Sequence, residues 1–257
     1  MAEFKSWGAF RQFEHATKHK RRYIHDPEVE AFLETVLQTA SKRVEVLARE
    51  SILWRAQLGC GQQPVCQDGV DIDVPAPHLP QRMTPQRQKA SEGRANPKGI
   101  PYLYLATHHD TALAEVRPWI GSFISLGQFK TLRELRVVNC TTDEQGFLIY
   151  LEEPSAEKRE ESVWADIDRA FAQPVSPSDD IADYVSIQTI AELFKANGFD
   201  GVAYRSSLGE GHNVVLFYLD TAELVSCFLF KLECINFKFE KCGEPYFIRK
   251  HCDKEKP

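Results

Sequence analysis

No apolar run in this 257-residue chain approaches the roughly 18 residues that a membrane-spanning helix requires, and its N-terminal stretch lacks the apolar core of a secretory signal. The expectation is a cytoplasmic location without membrane contact. Cysteine pairing is missing too. The seven cysteines include Cys60 and Cys66, too widely spaced for a CxxC pair, and Cys227, Cys234, Cys242 and Cys252, scattered along the tail. That distribution argues against a small disulfide scaffold and offers no tightly paired ligands for structural zinc. His108-His109-Asp110 lacks the helical spacing that puts two histidines on one face, so no metal is expected there and Asp110 is expected to cap a helix.

Two glycine-rich fragments, GCGQQP from Gly59 and GEGHNV from Gly209, lack the third glycine of the dinucleotide fingerprint, and neither clearly joins a strand to a helix. If a dinucleotide binds, a Rossmann fold does not hold it. GxSxG and HExxH are also absent, which argues against the commonest hydrolase and zinc-protease chemistries. Excess positive charge is lacking, since the formal net charge is −6. General nucleic-acid binding is therefore not expected, except through a partner protein. The one basic run, Lys18 to Arg22, reads as a solvated helix face.

What remains is a soluble-protein composition, 43% hydrophobic and 26% charged, rich enough for a substantial core. Residues 1–48 read as a helical extension: a segment from Trp7 to Tyr23, then a helix opened by the Asp26-Pro27 cap with Val29, Phe32, Leu33 and Val36 on one face. Residues 49–257 read as the remaining domain. The Gln-, Pro- and Gly-rich segment 59–93 reads as a long loop. Strands are expected in SFISLGQFK, LRELRVVNC, GVAYRS, NVVLFYL and part of the tail FLFKLECINFKFEK. Helices are expected from Ala156 to Phe171 and across YVSIQTIAELFKANG, with an acidic, proline-rich linker around Pro174 to Asp180. Short strands with segregated helices and no repeated βαβ unit indicate an α+β fold.

The densest pattern runs from Gly93 to Pro118, GRANPKGIPYLYLATHHDTALAEVRP. Asn96-Pro97 and Gly99 mark a turn, Ile100 to Ala106 a buried strand, and Asp110-Thr111 the start of a helix with Glu115 in its second turn. Tyr104 and Glu115 would then meet across a strand–helix corner, while Tyr102 is expected to face the other side of the strand. With Arg55 in SILWRAQLG upstream and Ser206 in FDGVAYRSSLGEGHNVVLF downstream, the chain resembles the RES family, named for an arginine, a glutamate and a serine in that order. The resemblance spans roughly residues 50–230. It implies an ADP-ribosyltransferase-like mixed β core with flanking helices, and an NAD-consuming toxin restrained by a cognate antitoxin. The reaction it implies is phosphorolysis of NAD, with inorganic phosphate as co-substrate and no tightly bound cofactor. ADP-ribose transfer to a protein and NAD hydrolysis are alternatives. A noncatalytic binding module on the same scaffold is the reading from a different class.

Cleavage between nicotinamide and ribose passes through an oxocarbenium-like transition state that a fixed carboxylate stabilises, the role expected of Glu115. The planar donor fork of Arg55 suits a pyrophosphate, and a structural salt bridge at a sheet edge is its competing use. Tyr104 offers a ring face for nicotinamide and a hydroxyl for a polar neighbour, or plain core packing. By resemblance Ser206, rather than the adjacent Ser207, positions Arg55 or a ribose. Arg94, Asn96 and Asn213 complete the residues expected to hold NAD. Arg94, Lys98 and Arg205 are the cations nearest the motif in sequence and so the candidates for a phosphate-acceptor subsite. His212 is weighed as a base and set aside as a loop histidine.

Overall fold

The computed structural model of the protein describes residues 3–86, 90–142, 149–173, 181–236, 239 and 241–243. Helix α1 covers Ala9–His19. Helix α2, Pro27–Ala40, begins as the sequence dictates: the Asp26 carboxylate accepts from the Val29 amide at 3.0 Å, with Pro27 at the first helical position. The end of the expected helical extension is a strand, β1 at Val44–Leu47. There follow β2 (Ile52–Leu58), β3 (Gly61–Gln67), β4 (Val70–Ala76), the one-turn helix α3 (Pro80–Met83), β5 (Leu103–Ala106), α4 (His109–Glu115), β6 (Phe123–Thr131) and β7 (Leu135–Asn139). The chain continues through α5 (Ala156–Ala172), α6 (Val185–Ala196), β8 (Gly201–Arg205), β9 (His212–Leu216) and β10 (Ala222–Lys231).

The fold is α+β. Eight strands form one mixed sheet in the order β1-β7-β8-β9-β5-β2-β6-β10, antiparallel except for β7 beside β8. The parallel pair is connected through α5 and α6, as a crossover demands. Period-two alternation divides the core. Val138, Val202, Tyr204 and Val215 pack with Phe13, Phe32, Trp164, Phe171 and Phe194 of the helices, while Val137, Ala203, Val214 and Leu216 join Leu53, Leu103 and Leu105 in a second cluster. Helix α4 covers a third cluster of Ala56, Ala106, Ala112, Ile124 and Leu126.

The segment expected as one long loop is mostly ordered. Strands β3 and β4 form a hairpin of their own, in register from Gln67↔Val70 to Gly61↔Ala76. Its turn carries Asp68 at φ 53° and Gly69 at φ 78°, the left-handed pair a two-residue hairpin requires. Asp-Gly between the two strands was the available signal. The tail strand ends at Lys231, and the expected linker at Pro174–Asp180 lies outside the described residues. Six cysteines are free, and Cys252 lies outside the description. Among the described residues no helix is long and apolar enough to cross a membrane, and no group of three His, Cys, Asp or Glu residues is placed to hold a metal.

The N-terminal helices share the main core rather than packing as an appendage: α1 lies against α5 and α6, and Val36 is fully buried. Phe13→Ala in α1 and Phe194→Ala in α6 should each lower the same single unfolding transition by about 3 to 5 kcal/mol. Denaturant melts that resolve two transitions, with only the first moved by Phe13→Ala, would make the extension a separate folding unit.

Candidate active site

Strands β2 and β5 are joined by a single register pair, Trp54↔Ala106, whereas β2 follows β6 for seven consecutive pairs. Past that pair the ladder between β2 and β5 stops. Two adjoining clefts, about 350 and 280 Å³, lie along this interruption, and both are walled by Arg55, Gln57 and Tyr104. A larger cavity of about 550 Å³ sits between α1 and α2, and none of the site residues expected from sequence line it.

Arg55 lies on an interior strand, not at a sheet edge, and makes no salt bridge among the described residues. It donates through Nη1 to the Tyr104 carbonyl at 3.1 Å, while its Nε is buried without a partner. Burial lowers its pKa to about 10, so the folded state disfavours the charged form throughout the neutral range. That cost fades only as pH rises through 10 toward the unfolded value. A cation in this condition gains from any anion that enters.

Glu115 closes α4. The helix stops there because Arg117 turns left-handed at φ 47°, its amide donating to the Ala114 carbonyl, and Pro118 follows. A carboxylate at a helix C-terminus gets no help from the dipole, so it needs other donors. Ser206 Oγ and Asn213 Nδ2 both donate to Glu115 Oε1, at 2.8 and 2.6 Å. Among the described residues Oε2 has no hydrogen-bond partner. Ser206 is itself oriented, because its Oγ accepts from the Leu208 amide at 3.1 Å. Ser206 is buried, whereas Ser207 is exposed. Asn213 stands on the interior strand β9, opposite both Tyr204 and Ala106, and the small side chain of Ala106 leaves space across the ladder.

Tyr104 meets Glu115 across the corner as expected, since both line the smaller cleft with Trp54, Tyr204 and Asn213. Its hydroxyl does structural work, donating to Asn96 Oδ1 at 2.7 Å and accepting from the Ala95 amide at 2.9 Å. Burial raises its pKa far above the usual phenol range. Gly93 permits this closure: a Cβ there would lie 2.6 Å from Tyr104 Oη. Asn96 is buried, and its amide donates to the Ser91 and Pro97 carbonyls, so it builds the turn.

The facing of Tyr102 and the cap at Asp110 differ from expectation. Tyr102 does not face away from Tyr104; residues two apart in a strand share a face, and both line the larger cleft. Asp110 does not cap α4, whose first flanking residue is His108; Asp110 lies exposed in the first turn, paired with His109. Arg94 lines neither cleft. Its Nη1 donates to the Phe171 carbonyl at 2.7 Å near the end of α5, tying the turn to that helix. Arg205 pairs with buried Asp168, Lys98 is exposed, and neither lines a cleft; nor does His212. In the basic run only Lys18 and His19 belong to α1, and Lys18 is held by Glu14 and Asp183. Sequence reasoning missed Trp54 and Tyr204 in the smaller cleft and Arg82 in the larger one.

A family model described as the RES domain matches residues 71–229, which include Glu115, Ser206 and Asn213. The chain belongs to the RES domain family. A solved structure described as the crystal structure of the M. tuberculosis MbcT-MbcA toxin-antitoxin complex is similar over 76% of this chain and 92% of that one, with 15% identity and a TM-score of 0.44. No curated protein matches this RES domain chain.

An unpaired buried guanidinium costs stability that an apolar side chain of similar length would not. Arg55→Met should therefore leave thermal stability unchanged or raise it by about 1 kcal/mol, while removing the cation from both clefts. A loss of about 2 kcal/mol or more in calorimetry would make the bond to the Tyr104 carbonyl the reason for the arginine.

Proposed function

We propose that this RES domain protein consumes NAD by cleaving the bond between nicotinamide and ribose. The observation that carries the reading is Glu115, with one carboxylate oxygen fixed by Ser206 and Asn213, in the wall of the cleft that Arg55 also lines. As the C1″–N bond breaks, its electron pair leaves with nicotinamide, and the positive charge left on the ribose is stabilised by the carboxylate. Glu115 Oε2 also accepts from a ribose hydroxyl and so fixes the sugar. Arg55 holds the pyrophosphate, exchanging a desolvated unpaired charge for a charge-assisted pair. Tyr104 and Trp54 supply aromatic wall for the nicotinamide. A phosphate oxygen then forms the new bond at C1″, giving ADP-ribose 1″-phosphate. Ser206 serves as a positioning group and not as a nucleophile, because its proton is already committed to Glu115.

The reading includes the biological role implied by the resemblance: a toxin held in check by a cognate antitoxin, on an ADP-ribosyltransferase-like scaffold. Gln81 to Gln86 and Ala90 to Gly93 at the larger cleft, together with exposed Val65, Val70 and Ile72 on the hairpin, offer the surface such a partner would cover.

Purified protein incubated with NAD should release nicotinamide faster when inorganic phosphate is present, with ADP-ribose 1″-phosphate among the products. Glu115→Gln should lower kcat by about a hundredfold or more while the unfolding temperature stays within a few degrees of wild type. Turnover indifferent to phosphate, with free ADP-ribose as the product, would replace phosphorolysis by hydrolysis. Normal turnover by folded Glu115→Gln would remove the carboxylate from the mechanism.

For the partner, co-expression with the protein encoded beside this chain should yield a copurifying complex with suppressed NAD turnover. Absence of both complex and protection would leave the enzyme without a paired inhibitor.

A further inference from the structure

The larger cleft holds a second unpartnered cation that the local sequence pattern does not mark. Arg82 lies on α3, is exposed, and makes no salt bridge or side-chain hydrogen bond among the described residues, yet it lines the same cleft as Arg55. The two guanidinium groups are close enough that the charge on Arg82 disfavours the charge on Arg55. The reason they meet can be traced to one residue on the neighbouring strand. Gly127 of β6 stands directly opposite Arg55. Where its side chain would be, Leu224 and Met83 pack together: a Cβ at Gly127 would lie 2.7 Å from Leu224 Cδ1 and 3.1 Å from Met83 Cε. Met83 is fully buried and anchors the one-turn helix against β6. Arg82, the preceding residue, is thereby carried to the cleft. Around the two cations the lining is largely polar, with Gln57, Gln81, Thr84, Gln86 and Ser91, and its one carboxylate among the described residues, Glu92, accepts from Gln188 Nε2 at 3.2 Å.

We propose that Arg82 and Arg55 together form a diphosphate clamp and that the larger cleft takes the ADP half of the dinucleotide. This rests on the NAD reading above and extends it by assigning a residue and a direction to the bound substrate. The dinucleotide lies along the interruption between β2 and β5, its nicotinamide ribose at Glu115 and its adenosine diphosphate beyond Arg55. Two like-charged groups without carboxylate partners hold each other at a cost that a dianion between them removes, and planar donor forks match phosphate oxygens in pairs. The amides and hydroxyls of the remaining wall suit adenosine edges and ribose hydroxyls.

The probe is ADP, which carries the clamped group and cannot react. Titration calorimetry at low salt should show ADP binding to wild type and to Glu115→Gln alike, at least tenfold weaker binding to Arg82→Ala, and partial recovery in Arg82→Lys. Adenosine should bind weakly and with no dependence on residue 82. In turnover, Arg82→Ala should raise KM for NAD and leave KM for inorganic phosphate unchanged. The clamp is overturned if wild type does not bind ADP, if Arg82→Ala binds it within twofold of wild type, or if adenosine binds as well as ADP. It is also overturned if Arg82→Ala raises KM for phosphate alone, which would give Arg82 to the acceptor instead. ADP binding that depends on Arg82 in a protein that never turns over NAD would support the clamp and reject the enzymatic reading.

Discussion

The single register pair between Trp54 and Ala106 is the constraint on which the rest of the molecule turns. Eight strands form one sheet, yet at its β2–β5 junction the ladder runs for one residue and stops. A buried backbone carbonyl without a ladder partner must be satisfied in some other way. At Tyr104 the guanidinium of Arg55 does this, bridging the opening from within. The side chain proposed to meet the substrate phosphates thus also compensates for the break in the sheet that admits the substrate. The carboxylate is held from the far side of the same break, by Ser206 just past β8 and by Asn213 on β9.

This arrangement sets stability against function at identifiable atoms. Arg55 carries a charge that its surroundings disfavour, and its Nε is buried and unsatisfied. Glu115 sits at the end of a helix where the backbone offers a carboxylate nothing, so two side-chain donors converge on one of its oxygens. The bond from Arg55 to the Tyr104 carbonyl serves the fold, but neither the charge on Arg55 nor the placing of Glu115 at a helix end does. Both become sensible once a ligand supplies an anion to one and a hydroxyl to the other. The surrounding structure compensates with rigidity: the Tyr104 hydroxyl, the Asn96 side chain and the Ala95 amide close one turn, and Arg94 fastens that turn to α5.

The sequence made the strand–helix corner from Leu103 to Glu115 readable because its punctuation is local: a turn before, a proline after, an apolar run between. The α2 cap and the amphipathic face of α6 were legible for the same reason. The hairpin of β3 and β4 was carried by Asp68-Gly69, but the Gln- and Pro-rich strands around that pair bury little and so lack the alternation by which strands are recognised. Arg94, Lys98 and Arg205 were chosen for nearness in sequence, and strand order defeats that measure. Arg82 lines the cleft with Arg55 while its neighbour Met83 packs beside Leu224 over Gly127, more than forty residues onward, and no local pattern encodes that. The pairing of β1 with β7 is equally nonlocal.

The long-range packing also settles how the N-terminal helices bear on the site. Tyr204, a wall of the smaller cleft, stacks on Phe171 of α5 with ring centroids 5.3 Å apart, and the Phe171 carbonyl is the acceptor for Arg94. Helix α5 is therefore the common support of the site turn and of one cleft wall. It is in turn packed against α1, and Trp164 on α5 donates its indole N–H to Thr39 Oγ1 of α2 at 3.2 Å. The match to the family covers residues 71–229, yet Arg55 and the helices that steady α5 precede that span. Since closely packed interiors transmit displacement, a disturbance at Phe13 or Phe32 reaches Tyr204 through α5 without touching any residue that would meet a substrate. The helices before β1 thus share one packed core with β8, since they back the helix on which that wall of the cleft rests.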